Sequence, residues 1–186
     1  MQDARRIDSD DRALIQIVDA ALAEGVRKSG PRLACRPGCS ECCMGPFPIT
    51  QLDARRLRRG LEELAVTDPA RAGRVRIRAQ QAVARGPGES SDDEPCPALD
   101  PATGWCDLYA ARPITCRTFG PPMRSDGGPV GLCELCFVGA SDEEIATCAT
   151  ETGAEPLESS LLSDLEAAGF AGDTTVASAL ASAAGE

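Results

Sequence analysis

Residues 35–45 read CRPGCSECCMG, with cysteines at positions 35, 39, 42 and 43. The chain has 186 residues, ten cysteines and no histidine, so this cluster works without an imidazole. On an ideal helix the spacing i, i+4, i+7, i+8 spans an arc of roughly 100°. Pro37 and Gly38 lie inside the run, however, and proline clashes with the preceding helical turn. The stretch therefore reads as a loop carrying Cys35, a tight bend at Gly38, and a short helix with Cys39, Cys42 and Cys43 in its first turns. A helix start favours thiolate, because unpaired N–H groups and the dipole stabilise negative charge there. Adjacent Cys42 and Cys43 would point about 100° apart. They then serve two different metals, or one of them stands outside the coordination sphere.

Five further cysteines, Cys96, Cys106, Cys116, Cys133 and Cys136, lie in a segment with six prolines and five glycines. Ordering such a segment costs roughly 1–2 kcal/mol per residue in backbone entropy. Its few large apolar residues, Leu99, Trp105, Leu108, Tyr109, Ile114 and Phe119 among them, do not offset that, so metal or cross-links must hold it. A structural zinc site supplies on the order of 10–16 kcal/mol. Cys96 and Cys106, and again Cys106 and Cys116, are ten residues apart, so chain folding must bring them together. Cys133 and Cys136 have the C-x2-C spacing of a chelating pair, although the extra thiol of Cys136 could also be incidental. Arg112 and Arg117, on either side of Cys116, read as cations that offset thiolate charge. Without histidine a site is four thiolates, or thiolates completed by Asp, Glu or water. Soft thiolates suit zinc and iron–sulfur centres alike. Cys148, alone in EIATCAT, reads as a small hydrophobe.

The rest of the chain predicts helices around this irregular centre, a mainly α fold with little or no sheet. Ser9 or Asp10 caps a helix to about Arg27, with Ile15, Val18 and Leu22 on one face. Thr50 opens a second with Leu57, Leu61 and Leu64 inward. Asp68, followed by Pro69, caps a third to about Arg85, with Val75, Ala79, Ala82 and Val83 inward. GPGESSDDEP, residues 86–95, reads as a mobile polar loop. SDEEIATCA and EPLESSLLSDLEAAG give two more helices, the second with Leu157, Leu161 and Leu165 on one side, and TTVASALASAAGE a short helix or a frayed end. Residues 1–150 are expected to form the cysteine-cluster domain and 151–186 a C-terminal helical extension.

The net charge is −10, which argues against nucleic acid as a partner. Nine arginines face four acids over residues 53–85, and residues 125–186 hold twelve acids and no Lys or Arg. These read as solvated faces of opposite sign. No apolar run has the length of a signal peptide or the roughly 20 residues of a membrane span, so the protein is expected in the cytoplasm, where ten cysteines are metal ligands before they are disulfides.

CRPGCSECC, CPALD, GWCDLYAARPITCRTFGPP and GLCEL together resemble the YkgJ-type cysteine-cluster family, over roughly residues 13–138. The resemblance implies a zinc- or iron-chelating domain, with Cys35, Cys39, Cys42, Cys43, Cys96, Cys106, Cys116 and Cys133 as candidate ligands. The chain departs from that pattern at Cys136. Flagellin lysine N-methylases share a related module. Three functions follow as expectations: a cytosolic protein holding zinc or an iron–sulfur centre, a metal-dependent enzyme modifying an amino group, and a thiol redox sensor. Histidine, a phosphate-binding glycine loop and a Ser–His or Cys–His pair are all missing from the sequence, which favours binding over catalysis. Asp107 and Tyr109 read as a local cap and a core aromatic before they read as an acid and a phenol.

Overall fold

The computed structural model describes residues 2–86, 93–125 and 127–182. In chain order these form α1 (Gln2–Ser29), β1 (Pro48–Ile49), α2 (Gln51–Thr67), α3 (Pro69–Arg85), β2 (Leu99–Asp100), β3 (Trp105–Cys106) and α4 (Ile114–Thr118). There follow β4 (Met123–Arg124), α5 (Asp142–Cys148), β5 (Thr150–Glu151), α6 (Glu155–Ala167), β6 (Thr174–Thr175) and α7 (Val176–Ala181). The fold is mainly α. Among the described residues the strands form only two-stranded ladders, β1–β6, β2–β3 and β4–β5.

The helices divide into two compact units, one from Met1–Arg36 and Ile114–Ala168, the other from Pro37–Pro113 and Gly169–Glu186. In the first unit α1 packs on α4, α5 and α6. Its inward stripe is Ile7, Asp11, Leu14, Val18, Gly25 and Ser29, which is helical spacing. Gly25 lets Met123 and Pro121 close against the helix, since a Cβ there would lie 2.9 Å from the Met123 sulfur. The helix begins seven residues before the cap expected at Ser9. Ile7 is buried, and Arg6 pairs with Asp10 at 3.4 Å and with Asp164 of α6 at 2.7 Å. Packing on α6 thus extends α1 through residues that have no local stop signal.

The second unit packs α2, α3 and α7 together. Thr50 caps α2 by accepting from the Asp53 N–H, and Asp68 caps α3 by accepting from the Arg71 N–H. Ala54, Leu57 and Leu61 from α2, Ala72, Val75 and Ala79 from α3, and Val176, Ala179 and Leu180 from α7 form the core. Val83, expected inside, is exposed. The C-terminal stretch is a short helix capped by Thr175, and its last four residues lie outside the described residues, as does most of the 86–95 loop.

The arginines of α2 and α3 are not simply solvated. Arg56 is buried and pairs with Asp53 at 2.5 Å, Arg71 and Arg78 both bind the buried Asp107, and Arg85 binds Glu94. The charge imbalance of this stretch is met by acids folded onto it.

Candidate metal centre

In the second unit the chain turns at Pro37 and Gly38, whose φ of +85° suits glycine. It then winds into a single 3-10 turn, Glu41–Cys43, rather than the start of an α-helix, closed by the Cys43 N–H to Ser40 O at 2.8 Å. Cys39 lies between bend and turn, half-buried. The thiol of Cys43 donates to Cys42, and this bond, with help from the Arg112 guanidinium, lowers the Cys42 pKa to about 6. Cys43 moves upward, first through the same bond, then through burial and the negative charge of Cys42, Cys96 and Cys106.

Backbone pairing draws the second pair of thiols to the doublet. The Cys96 N–H donates to Cys43 O, and the Gly45 N–H to Glu94 O, both at 2.7 Å. Cys106 comes back to the same place on the β2–β3 hairpin, with Leu99 opposite Cys106 and Asp100 opposite Trp105. Asp100 forms the turn by accepting from the Ala102 N–H at 3.1 Å and the Thr103 hydroxyl at 3.0 Å. The sequence puts Cys96 and Cys106 ten residues apart, and the hairpin removes that separation. Burial pushes the Cys96 thiol up to about 11 and raises Cys106 as well. Against that, the N–H groups of Ala98 and Leu99 point at the Cys96 sulfur and that of Leu108 at the Cys106 sulfur. N–H donors of this kind stabilise thiolate over thiol and orient a metal-bound sulfur.

A clamp on α3 fixes the hairpin. The Arg78 Nε donates to Pro97 O at 2.8 Å and its Nη2 to Asp107 at 2.6 Å, so one guanidinium holds the residues that follow Cys96 and Cys106. Arg71 binds the other oxygen of Asp107. Sequence reasoning missed this clamp. Its signal was present in arginines two helical turns apart at 71 and 78 and in an acid beside Cys106. Arg112 stacks 3.9 Å from the Tyr109 ring centroid and acts on Cys42 and Cys106. Tyr109, expected in the core, is exposed. Cys96 also lines an apolar cavity of about 320 Å³, together with Phe47, Val83, Pro97 and Val176 among others.

The first unit holds Cys35, Cys116, Cys133, Cys136 and Cys148. Cys35 is exposed, and its sulfur occupies a cradle that only glycine leaves open: a Cβ at Gly120 would lie 2.9 Å from it. The Cys133 N–H donates to Gly120 O at 3.2 Å. Cys133 and Cys136 are buried with Phe137 in a small apolar cluster. Cys116 lies on α4. The next residue, Arg117, is buried and binds both carboxylate oxygens of Asp19 on α1 at 2.7 and 2.9 Å, which docks α4 on α1. Cys148 donates to Lys28 O at 3.5 Å.

Among the described residues no three Cys, Asp or Glu side chains are set closely enough to hold an ion as they stand. The chemistry of the donors nevertheless suits zinc or iron in each unit: soft sulfurs, with N–H groups aimed at Cys96 and Cys106 in the second unit and a glycine cradle at Cys35 in the first. A family model described as "CxxCxxCC: Putative zinc- or iron-chelating domain" matches residues 34–137. No curated protein and no solved structure matches the chain.

Proposed function

The chain belongs to the CxxCxxCC family, and on that premise we propose that it is a cytoplasmic metal-binding protein holding zinc or an iron–sulfur centre on its cysteines. Cys42, Cys43, Cys96 and Cys106 are the principal candidate ligands, the adjacent pair serving two ions or one of them standing outside the coordination sphere, with Cys39 beside them, and Cys35, Cys116 and Cys133 are thiolates of the first unit in the same role. The observation that carries this reading is the backbone pairing that gathers cysteines from three separate stretches of chain: the Cys96 N–H donates to Cys43 O at 2.7 Å, and the β2–β3 hairpin returns Cys106 beside them. Without a cation burial keeps Cys96 and Cys106 as neutral thiols, and a divalent metal would favour their ionised, ligating form. Zinc bound there serves as a structural tetrahedral centre, and an iron–sulfur cluster adds one-electron transfer.

Replacement of Cys96 and Cys106 by serine in protein purified without oxygen tests the assignment. The wild type is expected to carry zinc, or iron with sulfur-to-iron absorption in the visible, and the double variant to lose it. A double variant that keeps the full metal content would refute these ligands.

A further inference from the structure

The loop 133–140 of the first unit is built differently from a chance pair of cysteines. The Cys136 N–H closes back on Cys133 O at 2.9 Å, and the Ala140 N–H on Phe137 O at 2.9 Å. Between these two turns stands Phe137 with φ +57°, the one non-glycine residue of positive φ among the described residues. A bulky side chain rarely adopts this conformation, and such outliers gather at ligand-holding sites. Two bonds tie the loop to the segment that leads into Cys35. The Phe137 N–H donates to Arg32 O at 3.0 Å, and the Ala34 N–H donates to the Cys136 sulfur at 3.4 Å. Cys35 is the next residue, its sulfur in the cradle of Gly120, whose carbonyl holds the Cys133 N–H.

From this arrangement we infer that Cys136 is a metal ligand, chelating with Cys133 as a C-x2-C pair and sharing a thiolate site with Cys35. The spacing is that of thiolate pairs in zinc and iron sites. An N–H aimed at the sulfur orients it as it would a metal-bound sulfur, and the left-handed Phe137 lies in the loop that folds back to receive this N–H. Leu33, Leu132, Ala140 and Ile145 pack around the pair and keep water from competing for the metal. Cys148 touches the same cluster, but its sulfur is directed at Lys28 O at 3.5 Å. It therefore stays outside the site and serves as the internal control.

The inference rests on the metal-binding reading above, and its test separates the two. Cadmium takes the same soft ligands as zinc, so the protein is loaded with an NMR-active cadmium isotope and the β protons of each cysteine are correlated with the metal. A cadmium correlation from Cys136 as well as Cys133, and none from Cys148, is the expected result. In parallel, Cys136→Ser should give up its metal to a competing chelator at least about tenfold more readily, the loss seen when even an outer partner of a metal ligand is removed, while Cys148→Ser matches wild type. Cadmium bound by other cysteines with no correlation from Cys136 overturns this inference and leaves metal binding standing. No cadmium at any cysteine overturns both.

Discussion

Asp107 shows how one side chain serves the site without touching it. Its carboxylate is 2% exposed and takes a guanidinium on each oxygen, from Arg71 and from Arg78. Removing a partner from a buried ion pair leaves charge without compensation, which costs about 3–5 kcal/mol when every member is buried. Arg71 is 37% exposed, so Asp107→Asn is expected to cost less, on the order of 2–3 kcal/mol, in urea unfolding of the metal-loaded protein, and to weaken metal retention because the hairpin bearing Cys106 loosens. Glu144 makes the corresponding prediction for pH. The Ser141 N–H, then Arg32, hold its pKa at about 2 against an ordinary 4.5. A depressed carboxylate stabilises the fold at pH above its unfolded value. The contribution of Glu144 is therefore complete above about pH 4.5 and is lost as pH falls toward 2. An NMR titration of its side-chain carboxyl should show a midpoint near 2, and a midpoint above 4 would mean that the capping box of α5 does not form in solution.

Among the elements, α2 meets the 3-10 turn Tyr109–Ala111 through Gly60. A Cβ at that position would collide with the Ala111 Cβ. Gly60→Ala, ordinarily a gain in an exposed helix, is expected instead to destabilise by roughly 1–3 kcal/mol through overpacking, seen as a lower thermal midpoint. A neutral or stabilising effect would contradict this packing. Much at this scale could be read from sequence because its cause is local. Thr50, Asp68 and Ser141 cap their helices through bonds to the third residue on, and the apolar spacing of Leu57 and Leu61 marks the buried face of α2. The bend at Gly38 was legible too, as was the need to fold Cys96 onto Cys106. What was not legible depends on partners far away in the chain. The start of α1 is set by Asp164 and by the burial of Ile7. Arg117 looks like a neighbour of Cys116 in sequence, yet its guanidinium is taken by Asp19, 98 residues away. Arg71 and Arg78 sit in a stretch that reads as solvated charge, and only Asp107, folded opposite them, reveals otherwise.

For the whole molecule, the account makes the thiols part of what holds the chain together. Each unit has a helical core of its own, but residues 93–113 and 119–140 contain little regular structure. Burial of Leu99, Leu108, Met123 and Phe137 offsets part of their backbone entropy, and metal held by the thiols would offset the rest. Stripping metal with a strong chelator under reducing conditions should therefore expose Arg117 and Arg124 to trypsin well before the bonds within α2 and α3 are cut. Equal resistance of the two forms would mean that the cysteines do not hold this segment. No helix among the described residues is long and apolar enough to cross a membrane. The most direct test is elemental analysis of the unmodified protein purified without oxygen and dialysed against a weak chelator. The account predicts at least about one zinc, or a stoichiometric amount of iron with acid-labile sulfide, retained per chain. A folded, protease-resistant protein that carries neither metal would contradict it.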